Sequence, residues 1–424
     1  MATSENMFCE LPPGHPREIL FSVLQQENLI TNNFSYRIEK TVVSRWVSSI
    51  YHIEANSSNS NLSLYLKCLP EDIKKRELMR CSLHFQNEET FYNIILPAFK
   101  QLQREKCLQE SRSPISVPKC YAAEGNGKDD VVILEDMSTS GFVLLDRRST
   151  MKLPYICLVL KELGRFHGFS LAFKTIQPEK MKQIIKCINE AVFVDPQFEE
   201  IFRIIFYNNL EDIYTAMKKY YEKESIYLKK FQQFLEKGLD LLPIQAQGDP
   251  SNEPYNVVTH GDLWINNFLF HYDEDTSEPD DICFLDFQQI RYCSPAIDLG
   301  RFLYVNMDKA TRDEYRDRFL HCYHDSLSET LRQCSLIPEN LLPFCELESQ
   351  LRKHSACFIT LSLLTIVHAL DSHEEEEEYN GDGTESMLNS IRKTQHRMNA
   401  DCLRRIFEVI EESVDRSYMD INGV

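Results

Sequence analysis

The chain has 424 residues, of which 43% are hydrophobic, so it is long enough to bury one large core or two lobes. Its formal net charge at pH 7 is −19. This excess of acidic side chains repels nucleic acid and anionic membranes, so we expect neither as a partner. None of the fourteen cysteines belongs to a Cys-x-x-Cys pair, and the N-terminal segment lacks the basic-then-apolar pattern of a signal peptide. We therefore expect reduced thiols and a cytoplasmic protein.

The hydrophobic pattern divides the chain into a strand-rich part and a helical part. Pro16 begins an amphipathic helix, and strands with one further helix follow as far as Met137. The segment 151–235 and the C-terminal part of the chain are helical in pattern. We predict an α+β fold with a small lobe at residues 1–137 and a large, mainly helical lobe at residues 138–424.

The most informative stretch begins at Val258 and has the sequence VTHGDLWINN. Asp262 and Asn267 have the Asp-x-x-x-x-Asn spacing of a catalytic loop for phosphoryl transfer, in which the aspartate orients the attacking hydroxyl and the asparagine holds a metal ion. Asp286 follows at the end of an apolar run, where a second metal ligand is expected. Phosphoryl transfer mainly requires positioning and neutralisation of charge, so this pattern predicts a kinase.

The surrounding sequence predicts three short strands that frame these motifs. They are the β-branched run 256–259, the aromatic-rich run 268–272 and the apolar run 282–285. The acidic segment 273–281, which contains Pro279, is typical of a hairpin loop. Taken singly, each motif could be an ordinary turn or strand end, but all of them in this order favour a phosphoryl-transfer site.

The string HGDLWINNFLF, followed by FLDFQQIRYCSPAIDL, closely resembles the insect ecdysteroid-kinase-like family, which has a CHK kinase-like domain. This family lies within the choline and aminoglycoside kinase branch of the protein-kinase-like fold. The match continues upstream with LKCLP at 66–70, FQNE at 85–88, LEDM at 134–137 and LGRFHGFS at 163–170. The resemblance covers about residues 60–305. It implies a two-lobed protein-kinase-like fold, with an antiparallel β-rich N-lobe and a helical C-lobe.

The resemblance also implies a nucleotide site that uses ATP and Mg²⁺. Lys67 matches the lysine that contacts the ATP phosphates, and Glu88 matches the glutamate that pairs with it. Without the resemblance, a single strand lysine would more often lie on a solvated face. Glu135 and Met137 lie in the segment that matches the adenine-binding hinge, where backbone groups would make the contacts.

The region that matches the family's nucleotide loop, residues 41–51, contains no glycine. Glycine is usual there because backbone N–H groups must approach phosphate closely. Ser44, Ser48 and Ser49 could still donate hydrogen bonds, and Arg45 could meet a phosphate. The loss of glycine favours altered ATP affinity or a catalytically silent binding protein.

Structural support is assigned to His260 and to Asp298, which matches a family aspartate that braces the catalytic loop. An alternative for Asp298 is a helix-start carboxylate that interacts with free N–H groups, and the two roles are compatible. His167 lies in an apolar helix next to aromatic residues and is interpreted as a packed residue.

The sequence leaves little room for a protein substrate. Protein kinases place a long activation loop after the metal-binding aspartate, whereas here Asp298 follows closely on Asp286. A small alcohol is therefore the expected acceptor, and the resemblance suggests a steroid-like or xenobiotic alcohol. The alternatives are a choline- or ethanolamine-type kinase and a pseudokinase that binds a small ligand. We expect a monomer.

Two remaining segments have simpler interpretations. The apolar stretch 355–370 has 16 residues, fewer than the roughly 20 needed to cross a membrane, and is predicted to be a buried helix. The acidic run 374–378 is predicted to be a solvated loop rather than a metal site.

Overall fold

The structure is a computed structural model that describes residues 11, 14–31, 33–41, 47–58, 60–106, 113–193, 196–370 and 398–420, except the side chains of 196–205. Residues 42–46 of the predicted nucleotide loop, including Ser44 and Arg45, lie outside the described residues. The acidic run 374–378 also lies outside them.

The N-terminal part of the chain is built around one antiparallel sheet. Its elements are helix α1 (His15–Gln26) and strands β1 (Ser35–Lys40), β2 (Ser49–Asn56), β3 (Asn61–Cys68), β4 (Cys120–Glu124) and β5 (Val131–Glu135). The strand order is β1-β2-β3-β5-β4. Because side chains alternate along a strand, Leu64 and Leu66 of β3 are buried in the core shared with α1, whereas Lys67 projects from the opposite face of the sheet.

More helix follows β3 than the sequence predicted. The structure has α2 (Ile73–Leu78), α3 (Cys81–Thr90), a π-helical turn (Phe91–Ile95) and α4 (Leu96–Glu105). The sequence predicted one helix between the strands, and the structure has three α-helices between β3 and β4. Pro97 has no N–H to donate, and a proline inside a helix often ends it. Here the π turn lies just before Pro97, and the helix continues past the proline as α4.

The C-terminal part of the chain is mainly helical. Its helices are α5 (Leu153–Ile176), α6 (Pro178–Cys187), α7 (Pro196–Tyr220), α8 (Ile226–Lys237), α9 (Leu242–Ala246), α10 (Pro295–Asn306), α11 (Lys309–Gln333), α12 (Phe344–Lys353), α13 (Ser355–Ala369) and α14 (Ala400–Asp415). The predicted α+β class, with an antiparallel small lobe and a helical large lobe, is confirmed. The boundary at Met137 stays a prediction.

Helices α5 and α11 approach each other closely because of two glycines. A Cβ at Gly164 would lie 2.2 Å from the carbonyl oxygen of Tyr323, and a Cβ at Gly168 would lie 2.8 Å from Cβ of Thr330. Both positions therefore require the smallest side chain. This close packing places His167, between the two glycines, against α11.

Short hairpins in the large lobe carry the predicted motifs. The strands are β6 (Val143–Leu144), β7 (Val257–Thr259), β8 (Phe268–Tyr272), β9 (Pro279–Phe284) and β10 (Arg291–Cys293). They form the sheets β6-β8-β9 and β10-β7. The three predicted strands are confirmed, although β9 begins at Pro279 and shortens the predicted loop. Pro279 pairs with Tyr272 at the end of the ladder, beside a register shift, where its missing N–H costs least.

The apolar stretch 355–370 forms helix α13, and most of its side chains are buried, as predicted. Within the described ranges, no helix combines the length and the apolar character needed to cross a membrane. The twelve cysteines that the structure describes are all free thiols.

His354, between α12 and α13, is a buried titratable group away from the predicted motifs. It is 2% exposed, and neither ring nitrogen has a hydrogen-bond partner among the described residues. Burial, together with the nearby charge of Lys353, lowers the pKa of His354 to about 4. The folded protein therefore holds this imidazole in its neutral form.

We predict that acidification destabilises the protein through His354. Because its pKa is lower in the folded than in the unfolded chain, the unfolded chain binds the extra proton between these two pKa values, and stability falls as the pH falls. Replacing His354 with leucine should reduce the stability loss between pH 6.5 and pH 5 by about 2 kcal/mol, measured by chemical denaturation. The exposed His321→Leu is the control. Equal losses in wild type and His354→Leu would contradict the prediction.

Candidate active site

Three charged side chains, from β3, from α3 and from the segment after β9, meet at one point. Nζ of Lys67 lies 2.9 and 3.1 Å from the two carboxylate oxygens of Glu88 on α3. The same nitrogen lies 2.8 Å from Oδ1 of Asp286, which follows β9. Only 13% of the Lys67 side chain and 2% of the Glu88 side chain are exposed. The structure thus brings together three of the predicted site residues.

The two carboxylates keep Lys67 charged. Burial alone would lower the pKa of its ammonium group, but the charges of Asp286 and Glu88 outweigh burial and raise the pKa above its ordinary value. A positive charge is therefore fixed at this point at neutral pH. A fixed ammonium group is able to form short, charge-assisted hydrogen bonds to phosphate oxygens.

Asp286 is held in an unusual backbone conformation. Its φ is +70°, in the left-handed region that residues other than glycine seldom adopt. The neighbouring Phe287 is buried and stacks on Phe91 of the π turn, with ring centroids 3.5 Å apart. The side-chain amide of Gln288 donates to Oδ2 of Asp286 at 2.9 Å. Packing on one side and hydrogen bonds on the other therefore hold this carboxylate in place.

Helix α3 positions the segment that follows Asp286. The side-chain Nδ2 of Asn87 donates to the backbone oxygen of Gln288 at 3.1 Å. Nδ1 of His84 lies 3.3 Å from the same oxygen. Burial lowers the pKa of His84 to about 4, so this ring is neutral. Glu88 lies on the same helix, so α3 supports Asp286 both through Lys67 and through the backbone of Gln288.

Asp262 and Asn267 contact each other directly in the loop between β7 and β8. Nδ2 of Asn267 donates to the backbone oxygen of Asp262 at 2.8 Å and to its Oδ2 at 3.0 Å. These bonds use the nitrogen of the amide, so its oxygen is the atom that could bind a cation. The N–H of Leu285 donates to the carbonyl of Asn267 at 3.0 Å, which places Asn267 and Asp286 at the same end of the β8–β9 hairpin.

This donor set fits Mg²⁺, which prefers carboxylate and amide oxygens and keeps several waters or phosphate oxygens. Asn267 and Asp286 would supply two such oxygens. Within the described parts of the chain, no group of three or more His, Cys, Asp or Glu side chains could hold a metal ion on its own.

His260 lies at the start of this loop and is buried. Its Nδ1 accepts a hydrogen bond from the N–H of Asp262 at 3.2 Å, and its Nε2 donates to the carbonyl of Leu285 at 2.9 Å. Burial lowers the pKa of His260, consistent with a neutral ring that has one donor and one acceptor. His260 thus joins the loop to the segment that leads to Asp286.

Asp298, near the start of α10, accepts hydrogen bonds from two successive backbone N–H groups of the loop. Its Oδ2 lies 2.7 Å from the nitrogen of His260, and its Oδ1 lies 2.9 Å from the nitrogen of Gly261. His167 is buried beside it, with Nε2 at 3.3 Å from Oδ2 of Asp298 and Nδ1 at 2.8 Å from the hydroxyl of Tyr323. His167 is therefore packed, as interpreted, but it also contacts the residue that holds the loop.

Arg301 is a residue of this site that the sequence analysis missed. It lies one turn after Asp298 on α10 and forms an ion pair with Oδ1 of Asp262. Its NH1 group donates to the carbonyl of Gly261 at 2.7 Å. The signal in the sequence was the spacing, because residues three apart on a helix lie on the same face.

The predicted hinge residues follow β5. The N–H of Glu135 donates to the carbonyl of Lys119 at 2.9 Å, so that group is already used. Met137 begins a 3₁₀ turn (Met137–Ser140) that is capped by Asp136. The Asp136 carboxylate also accepts a hydrogen bond from Ser63 on β3 at 2.8 Å. The turn is therefore fixed to the sheet that carries Lys67.

Ser48 is buried just before β2. The N–H of Thr41 donates to the carbonyl of Ile50 at 2.8 Å. This hydrogen bond joins the end of β1 to the start of β2. Ser48 lies on the β1–β2 connection, and its role in a nucleotide loop stays a prediction.

The interval between Asp286 and Asp298 is filled by ordered structure. It contains a 3₁₀ turn (Phe287–Gln289) and strand β10, and α10 begins at Pro295. Arg291 of β10 is buried and donates to the carboxylate of Glu190 at 2.7 Å. No long loop of the kind that binds peptides in protein kinases lies between these two aspartates, as the sequence predicted.

We predict that Gly261 cannot be replaced without a large loss of stability. Its φ is +83°, and a Cβ would lie 1.9 Å from the carbonyl oxygen of Gln289. Gly127 has a φ of +78°, but a Cβ there would meet no atom closer than 4.0 Å. Gly127→Ala should therefore cost only about 1–2 kcal/mol of unfolding free energy, whereas Gly261→Ala should cost roughly 3 kcal/mol or more. Equal costs in denaturant titrations would contradict the backbone geometry given for this loop.

The solved structures that resemble the chain remotely include two of an aminoglycoside phosphotransferase and one of an ethanolamine kinase. A point mutant of aminoglycoside 2'-phosphotransferase-IIIa in its GDP complex has a TM-score of 0.40 at 12% identity, and covers 95% of this chain and 99% of its own. The wild-type enzyme in its GDP complex has a TM-score of 0.38 at 12% identity, and the match covers 90% of this chain and 99% of the enzyme. An ethanolamine kinase from Plasmodium vivax has a TM-score of 0.40 at 14% identity, and the match covers 92% of this chain and 96% of the kinase.

Comparison with curated proteins gives no match. The model of the ecdysteroid kinase-like family matches residues 41–336, which is more than half of the chain. The matched range contains Lys67, Glu88, Asp262 and Asp286, and the resemblance found in the sequence is confirmed. The protein belongs to the ecdysteroid kinase-like family.

Proposed function

We propose that this protein is a kinase that transfers the γ-phosphoryl group of ATP, with Mg²⁺, to a hydroxyl group of a small molecule. The observation that carries the proposal is the contact of one buried ammonium, Lys67, with both Glu88 and Asp286. Lys67 and Glu88 lie 21 residues apart in the sequence, and Asp286 lies 219 residues after Lys67. The sequence motifs and the family resemblance imply a nucleotide role for Lys67 and Glu88 and a metal role for Asp286. Membership of the ecdysteroid kinase-like family supports the same function.

The residues take separate roles in this proposal. Lys67 would bind phosphate oxygens and is positioned by Glu88, while Asn267 and Asp286 would hold the metal through their side-chain oxygens. When bound, ATP would supply the phosphoryl group, and Mg²⁺ would neutralise part of the negative charge of the phosphates. Asp262 would accept a hydrogen bond from the hydroxyl of the acceptor. This orients the alcohol oxygen toward the phosphorus, and positioning of this kind accounts for much of the catalysis of phosphoryl transfer.

The nucleotide would lie between the β1–β2 connection and the turn after β5. Ser48 would lie near the phosphates, and backbone groups of Glu135 and Met137 would face the adenine. Since the N–H of Glu135 is bonded to Lys119, its contribution would come from its carbonyl oxygen. The glycine-free loop remains the feature that favours a silent binding protein.

The acceptor in this proposal is a small alcohol of the steroid or xenobiotic type. The short interval after Asp286 leaves no peptide-binding loop, which favours a small substrate. Trp264 follows Asp262 closely, and its ring centroid lies 5.6 Å from that of His368 on α13. This pair of aromatic rings, one of them two residues after Asp262, would suit a flat, apolar acceptor, although aromatic rings also bind quaternary ammonium groups such as that of choline.

The test is transfer of labelled γ-phosphate from Mg-ATP to two separate pools, one of steroid and plant alcohols and one of choline and ethanolamine. We expect a labelled product from the first pool. Lys67→Met should reduce the rate about 100-fold or more, because it removes a charge that stabilises the transferring phosphoryl group. Lys74→Met, on the exposed helix α2, is the matched control and should retain activity.

Each other outcome has a definite meaning. A product only from the second pool would identify the choline-type alternative. ATP binding without transfer to any acceptor would favour the silent binding protein. Full activity of Lys67→Met would contradict the proposed role of the Lys67 contacts.

A further inference from the structure

Arg301 is buried against the loop that carries Asp262. It is 6% exposed. It contacts the carbonyl of Gly261, Oδ1 of Asp262 and, through NH2 at 3.0 Å, the hydroxyl of Thr365 on α13. The guanidinium group therefore bonds to the backbone just before Asp262 and to the Asp262 side chain at the same time.

These contacts leave the Asp262 carboxylate little freedom to rotate. Arg301 binds Oδ1, and the amide nitrogen of Asn267 binds Oδ2 at 3.0 Å. A carboxylate oxygen accepts about two hydrogen bonds, so each oxygen keeps capacity for one more partner. The direction in which Asp262 accepts a further hydrogen bond is therefore set by two groups from different elements.

Stability alone is a weak reason for a buried arginine at this position. A buried ion pair often contributes no more than apolar residues of similar size, because desolvation of both charges offsets their attraction. The Nε of Arg301 also has no hydrogen-bond partner among the described residues, which makes its burial more costly. A functional role would explain why this charge is placed against Asp262.

We propose that Arg301 is a positioning residue that fixes the Asp262 carboxylate in the direction of the acceptor hydroxyl. This inference rests on the proposed function. In the reaction, the alcohol oxygen forms a bond to the γ-phosphorus while the bond from that phosphorus to the bridging oxygen of ADP breaks. The hydroxyl proton passes to Asp262 and then to water. In this proposal Arg301 contacts neither the alcohol nor the phosphoryl group and acts only through Asp262.

A double-mutant cycle tests whether Arg301 acts through Asp262. Arg301→Met should lower kcat about 100-fold, with the KM values for ATP and acceptor changed less than threefold. In an Asp262→Asn background, the same change should lower kcat less than threefold further, because the group that it positions is already lost. Single-turnover measurements with labelled ATP give the small rates that this comparison needs.

Two further variants separate positioning from folding. Arg405→Met is the matched control, because Arg405 is also 6% exposed and contacts α10 through the carbonyl of Val305, but does not contact Asp262. It should keep kcat within about threefold. Arg301→Lys keeps the charge but not the paired geometry of the guanidinium group, so we expect it to recover part of the lost kcat.

The outcomes distinguish this inference from the proposed function. No transfer by the wild-type protein to any acceptor would overturn the proposed function, and this inference with it. Wild-type transfer together with normal kcat in Arg301→Met would overturn only the inference. Equal losses of kcat from Arg301→Met in the wild-type and Asp262→Asn backgrounds would also overturn it, since Arg301 would then act independently of Asp262.

Discussion

The buried ammonium group of Lys67 joins three elements that the chain builds separately: strand β3, helix α3 and the segment that follows β9. Without this charge, the carboxylates of Glu88 and Asp286 would lie close together with no counterion, and a buried unpaired charge is costly. The rest of the site is arranged around this point. Phe287 stacks on Phe91, and Asn87 binds the backbone of Gln288, so that apolar packing and polar contacts both hold Asp286 next to Lys67.

Helix α10 plays a comparable part for the loop that carries Asp262. It presents a carboxylate, Asp298, to two backbone N–H groups and a guanidinium group, Arg301, to a carbonyl and a carboxylate. Burial alone would raise the pKa of Asp298, but its hydrogen bond from His167 and the N–H of Gly261 outweigh this and lower the pKa. The negative charge of Asp298 and the positive charge of Arg301, on one face of α10, thus hold both the backbone of the loop and the side chain of Asp262.

Much of this arrangement could be predicted from the sequence, because it depends on local patterns. The strands around Asp262 and Asp286 follow from short apolar and β-branched runs, and Lys67 could be placed on a strand by alternation. The spacing of Asp298 and Arg301 places both on one face of α10. The contact of Arg301 with Asp262, and that of His167 with Asp298, could not be predicted, since both depend on how α10 packs against the loop and against α5. Glycines 164 and 168 permit the close packing of α5 on α11, but their pattern does not reveal the partner helix. Three α-helices follow β3 where the sequence predicted one, and Pro97 at the start of α4 is typical of a helix boundary, so the continuation of the helix past it could not be predicted.

The most direct test of the account is the Mg²⁺ dependence of ATP binding, measured by titration calorimetry with Mg²⁺ or with a chelator present. If Lys67, Glu88 and Asp286 form the phosphate and metal site, the wild-type protein should bind ATP at least tenfold more tightly with Mg²⁺ than without it. Asp286→Asn should lose this dependence, whereas Asp280→Asn, at an exposed position on β9, should keep it. Wild-type binding that is indifferent to Mg²⁺, or no binding of ATP at all, would contradict the account.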